Sequence, residues 1–129
     1  MSEYLTAGWI AEADAAVARD ERLRAATADL SLVVQHEVTD GPSGDVTYHV
    51  VADHGVVGVR AGAASAPTVT FRQSYETAAA VAKGDLSAQG AFMTGRIRVS
   101  GDVPQLVEHG AAFAGIGDVL GDLRTRTTF

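Results

Sequence analysis

The spacing of hydrophobic positions changes four times along the chain, and the changes mark out its elements. Through residues 6–24 apolar side chains recur at helical spacing, with Ile10, Ala13, Ala16 and Val17 on one side and Glu12, Asp14, Arg19 and Glu21 outside. From Leu30 the period becomes two. Leu30, Leu32, Val34, His36 and Val38 share one face, and Ser31, Val33, Gln35 and Glu37 share the other. The run from Asp40 to Asp45, rich in glycine and proline, is a tight reversal, after which Val46, Tyr48, Val50 and Ala52 alternate with Thr47, His49, Val51 and Asp53. Residues 30–38 and 46–53 therefore predict a hairpin. His54-Gly55 turns into a third strand over residues 56–60, residues 62–67 read as a loop of small residues, and residues 68–72 give a fourth strand with Val69 and Phe71 inward.

Helical spacing then returns. Residues 74–83 predict an alanine-rich helix capped by Ser74 and ended by Gly84 in the left-handed conformation. Leu86 and Ser87 read as the hydrophobic residue and cap that open a short helix over residues 87–93, which carries Phe92 and Met93. Gly95 releases the chain into residues 96–100, whose alternation makes a fifth half-buried strand. Asp102 caps the next helix, with Gln105 three residues on and Pro104 in the tolerant first turn. That helix runs through Leu106, Val107, Gly110 and Phe113, breaks near Gly115-Ile116-Gly117, and resumes from Asp118 through Val119, Leu120 and Leu123.

Polar residues such as Ser31, Gln35, Glu37, Thr70, Arg72, Arg96 and Arg98 fall on one face of all five strands, so that face meets water and the other needs a cover. The helices supply it. The expected fold is α+β, a five-stranded and mainly antiparallel sheet with helices packed on one face. At 129 residues and 47% hydrophobic, the chain reads as one domain over residues 1–129. No run approaches the ~18 apolar residues of a membrane span and the first residues lack a secretory pattern, so a soluble, cytoplasmic protein is expected. A net charge of −6 argues against nucleic acid and against tight docking to anionic membranes. Without cysteine there is no disulfide and no thiolate chemistry.

Enzyme chemistry finds little support. His36, His49, His54 and His109 lack metal-ligand spacing, and no glycine run forms a phosphate loop, so neither a metal nor a cofactor is expected. No carboxylate lies on an inner strand face. His36 and Tyr48 are the inward polar candidates, brought close by register on neighbouring strands, and they seed a less favoured reading as a cavity enzyme acting on a hydrophobic substrate. The helices facing the sheet are built largely of alanine and glycine, as in ETAAAVAKG and HGAAFAGIG. Small residues allow two outcomes, a dry filled core or an apolar cavity between the layers.

The segment from Lys83 to Asp102, KGDLSAQGAFMTGRIRVSGD, adds a more specific signal. Gly84, Leu86, Phe92-Met93, Gly95, the basic-aliphatic-basic-aliphatic run Arg96 to Val99, and Gly101-Asp102 follow one another in an order that resembles the signature of the sterol carrier protein type-two domain, here as a small stand-alone member of bacterial type. The resemblance implies a lipid held in an apolar tunnel between sheet and helices, and so favours the cavity. It places Phe92 and Met93 on the short helix at the cavity, Ile97 and Val99 beneath them, and Leu86 on the same wall. The inner hairpin face would add Leu32, Val34, Tyr48 and Val50, with Leu106, Val107, Phe113 and Leu120 as a C-terminal lid. The implied function is non-enzymatic binding, and transfer, of a fatty acid, fatty acyl-CoA or sterol-like lipid. A different reading is an interaction module with a filled core, dimerising through residues 74–83, so either a monomer or a homodimer is expected. Arg72, Arg96 and Arg98 share the outer face and offer at most a weak, transient membrane contact. The C-terminal Thr127-Thr128-Phe129 is not the serine-lysine-leucine peroxisomal address, so peroxisomal import is not implied.

Overall fold

A five-stranded sheet carries the fold in the computed structural model, which describes residues 2–129. The chain opens with a two-residue strand, β1 (Ser2–Glu3), and helices α1 (Ala7–Arg19) and α2 (Glu21–Ala26). Strands β2 (Ser31–Gly41), β3 (Gly44–Asp53), β4 (Val56–Ala61) and β5 (Val69–Ser74) follow. Helices α3 (Tyr75–Lys83) and α4 (Ala88–Met93), strand β6 (Arg98–Gly101), helices α5 (Val103–Glu108) and α6 (Gly110–Asp122), a 3₁₀ turn (Leu123–Arg126) and β7 (Thr127–Thr128) complete it.

The sheet order is β4-β3-β2-β5-β6, antiparallel except for the parallel pair β2 and β5. This is the expected α+β architecture. The hairpin register sets Leu32 opposite Ala52, Val34 opposite Val50 and His36 opposite Tyr48, which aligns the apolar sets of both strands on one face. Leu32, Val34, Val38, Val50, Ala52 and Val69 are buried there beneath the helices, with Trp9, Ala13 and Val17 of α1 above them. Asp14 of α1 accepts the Val59 backbone N–H of edge strand β4 at 2.9 Å and holds Arg60 at 2.9 Å. One exposed strand edge is thus satisfied locally. Among the described residues no helix is long and apolar enough to cross a membrane, and no group of three or more His, Cys, Asp or Glu side chains is placed to hold a metal ion.

Four departures from the sequence-based expectations have local causes. The single helix over residues 6–24 is two helices, because Asp20 adopts an extended backbone and its carboxylate accepts the Leu23 N–H at 2.9 Å, restarting the helix. The break placed at Gly115-Ile116-Gly117 lies instead at His109, and α6 runs unbroken through those glycines. Burial of Ala112 and Ile116 on the sheet side offsets the ~1 kcal/mol helical penalty of each glycine. Arg96 and Ile97 are not strand: their N–H groups both return to the Ala91 carbonyl, at 2.8 and 3.2 Å, and close α4 before β6 begins. Gln35, read as solvated, is buried because the loop after β4 folds over it, with Ala64 N–H donating to its amide oxygen at 2.9 Å.

Candidate functional site

The covering helices do not fill the space above one half of the sheet. A pocket of about 230 Å³ remains between the strands and helices α3, α4 and α6. Its floor is Val34 and His36 from β2, Tyr48 from β3, and Phe71 and Gln73 from β5. Register explains the grouping, since His36 pairs with both Tyr48 and Phe71, and Gln73 follows Phe71 by two residues on the same face. The far wall is a stripe of α6, Phe113, Ile116, Gly117, Leu120 and Gly121, at spacings of three and four. Ala78, Val81 and Ala82 of α3 form the opposite wall, and Ala88, Phe92 and Ile97 close one end.

Two glycines in the α6 stripe account for part of the space. A methyl group added at Gly117 or Gly121 would meet nothing within 4 Å. Replacing Gly117 by alanine should therefore raise the unfolding free energy by about 0.5–1 kcal/mol, the helical advantage of alanine with no steric penalty, readable from urea unfolding. A cap of aromatic rings closes the other end. Tyr4 donates its hydroxyl to the Ala78 carbonyl at 3.3 Å and meets Trp9 edge-on, Trp9 meets Tyr48 edge-on at 5.7 Å, and the His36 ring lies flat on Tyr48 at 4.7 Å.

The pocket is electrically neutral: among the described residues no Lys, Arg, Asp or Glu lines it. Burial lowers the His36 pKa to about 4, so its ring is uncharged near pH 7. Burial, with the neighbouring Tyr4, also pushes the Tyr48 hydroxyl well above its ordinary range.

The structure brings together some of the residues named from sequence and separates others. Val34, Tyr48, Phe92, Ile97, Phe113 and Leu120 line the pocket. Leu32 and Val50 sit in the closed core, Leu86 is half-buried beside α3, Val99 pairs with Phe71 at the sheet edge, and Leu106 packs on the core from α5. Met93 and Val107 are 76% and 78% exposed and face away from the pocket. Arg72 and Arg98 are direct cross-strand partners on the outer face, with Glu37 3.6 Å from Arg72, whereas Arg96 lies outside the strand. Sequence reasoning passed over Tyr4, Trp9, Gln73 and Ile116. Extending the β5 alternation by one step would have found Gln73, and the three-and-four spacing from Phe113 would have found Ile116. A wider groove of about 630 Å³ between α1, α2 and α6 is lined by Arg19, Asp20, Glu21, Arg22, Asp122 and Arg126, with Ala16, Val119 and Leu123 among them, a mostly charged surface of mixed sign.

A family model described as the SCP-2 sterol transfer family matches residues 13–113, most of the chain. The chain belongs to this family. No curated protein matches it. Among solved structures, the crystal structure of sterol carrier protein 2 superposes with a TM-score of 0.77 at 19% identity, covering 92% of this chain and 98% of that one. A conserved hypothetical protein from Thermus thermophilus, described as possibly a sterol carrier protein, gives 0.71 at 19% identity, over 98% of this chain and 92% of its own. The sterol carrier protein domain 2 of Helicoverpa armigera gives 0.68 at 20% identity, over 93% and 91%. At such identities these likenesses establish the fold that the family shares with this chain.

Proposed function

We propose that this chain binds an apolar small molecule, a lipid, in the pocket between the sheet and helices α3, α4 and α6, and carries it without chemical change. The observation that carries the reading is the pocket itself, walled by apolar and aromatic side chains and free of charge among the described residues. Membership of a sterol transfer family supports it. Val34, Tyr48, Phe92, Ile97, Phe113 and Leu120 are the ligand contacts in this reading. At about 230 Å³ the pocket lies below the ~300 Å³ at which drug-sized sites begin, which favours a single aliphatic chain over a fused-ring sterol in this conformation. Each buried methylene contributes ~0.8 kcal/mol, so six give a gross ~5 kcal/mol before the cost of immobilisation is subtracted. The enzyme reading has less support: among the described residues no carboxylate lines the pocket to orient or charge His36 or Tyr48.

Trp9, the one tryptophan, lines the pocket and is a built-in reporter. Titrating delipidated protein with decanol should shift its emission saturably. Gly121→Phe should weaken binding by about 100-fold or more, because a 150 Å³ cavity already accommodates benzene and a benzyl group would occupy most of this one. Circular dichroism should remain that of the wild type, since the substituted position opens onto free space. Unsaturable emission changes, or equal affinity in the filled variant, would overturn the assignment.

A further inference from the structure

Two polar atoms in the pocket stand apart from the rest of the molecule. His36 Nδ1 and Gln73 Oε1 are buried and have no hydrogen-bond partner within the described protein. Leaving such groups unmatched costs about 1–3 kcal/mol each, and native proteins carry few of them. Both residues belong to the pocket floor. His36 pairs with Phe71 and Gln73 pairs with Val38 on adjacent strands, which sets the two side chains diagonally on one face, roughly 8 Å apart at Cα. Both unmatched atoms therefore belong to side chains that line the same pocket from neighbouring strands.

The geometry points to a ligand whose polar end is an uncharged hydroxyl, held between His36 Nδ1 and Gln73 Oε1 while its apolar body runs along the α6 stripe. This rests on the pocket being the lipid site. The chemistry selects the group by elimination. A hydroxyl offers one donor and two acceptor positions on one oxygen, so it donates to Gln73 Oε1 and accepts from Nδ1–H of His36. A ketone or ether accepts only and leaves the Gln73 oxygen unmatched. A carboxylate faces that oxygen with a second acceptor, and among the described residues the pocket has no cation to pair with its charge. The neutral state of His36 removes the one group that titration could have turned into such a cation near pH 7. Tyr48 adds a second uncharged surface, its ring stacked on His36. The ligand class is therefore an aliphatic or alicyclic alcohol, not a fatty acid anion.

The test compares decanol, decyl methyl ether and decanoate near neutral pH, read from Trp9 emission, in the wild type, His36→Phe and Gln73→Met. Comparing the alcohol-to-ether ratio between proteins cancels the different hydration of the two ligands. The wild type should favour decanol over the ether by about tenfold relative to Gln73→Met, the worth of one hydrogen bond that otherwise goes unmade, while His36→Phe weakens both ligands and keeps the ratio. The Gln73 side-chain amide resonances should shift with decanol and not with the ether, a readout that loss of packing in a variant does not mimic. Saturable binding with the same ratio in all three proteins would leave the pocket as a lipid site and overturn the hydroxyl anchor, as would tighter binding of decanoate than of decanol. Absence of binding by any of the three ligands would remove the pocket assignment and the anchor with it.

Discussion

Replacing Gly101 by alanine should lower the unfolding free energy by about 2–4 kcal/mol, although the residue is exposed and carries no side chain. Its φ of +99° lies in the region that side-chain-bearing residues avoid. A methyl group there would also stand 2.5 Å from the Thr68 carbonyl oxygen and 3.0 Å from the Val69 Cα, both backbone atoms that no rotamer change can move. Relief requires β6 to swing from β5. That movement strains the Asp102 N–H bond to the Thr68 carbonyl, 2.8 Å long, and with it the side-chain cap that starts α5. Urea unfolding followed by circular dichroism measures the loss. A change under 0.5 kcal/mol, roughly the scale of an ordinary surface substitution, would show that the edge strand is not held as described. Gly117→Ala provides the opposite sign within the same protein, which separates backbone strain from any general effect of a methyl group.

Acidification should destabilise the protein through His36 by about 3 kcal/mol between pH 6.5 and about 4. In the unfolded chain its imidazole takes up a proton near pH 6.5, but in the folded protein burial postpones this to about 4. Above pH 6.5 neither state is protonated at this site, and the stabilising contribution is complete. As the pH falls through the interval only the unfolded state gains the proton, so unfolding becomes easier by ~1.4 kcal/mol per unit; below about 4 both states hold it and the decline stops. Unfolding free energies at several pH values, measured for the wild type and for His36→Phe, isolate the effect because other titrating groups are common to both. Parallel profiles would mean that the imidazole is not kept neutral by its surroundings. The substitution preserves a flat ring on Tyr48, so the comparison does not depend on losing the stack.

Much of the sheet was legible because a period of two allows few alternatives once one face must be buried. Leu32, Val34 and Val38 on β2 and Tyr48 and Val50 on β3 fell into place with their partners, and so did α3, whose Ser74 cap and left-handed Gly84 are local chemistry. The parallel pairing of β2 with β5 was not legible, since it depends on a crossover between distant segments. Glycine misled at α6. Gly115 and Gly117 break a helix on propensity, yet the stripe from Phe113 to Gly121 buries enough surface to hold it together. A break there divides the pocket wall between two helices and hides the spacing that joins Phe113 and Leu120 to Ile116. Phe92 and Met93 look equivalent in sequence, but on a six-residue helix that buries only Ala91, the rotation between neighbours sets Phe92, still 52% exposed, against the pocket and leaves Met93 in solvent.

The pairing of β1 with β7 bears on the order in which the chain acquires its shape. Ser2 and Glu3 align with Thr127 and Thr128, Tyr4 N–H donates to the Thr128 carbonyl at 2.9 Å, and the Tyr4 ring rests 5.1 Å from Phe129. On a ribosome adding about 5–20 residues each second, these first residues wait roughly 6–25 s for their partners to be made. The sheet, α1 and α3 can already be assembled by then, while the α6 wall and the Tyr4 end of the pocket are still missing. The segment that closes the apolar chamber is thus made after the sheet and the helices it closes upon. Until it arrives the nascent chain displays a greasy trough, open to a chaperone or to whatever lipid is at hand.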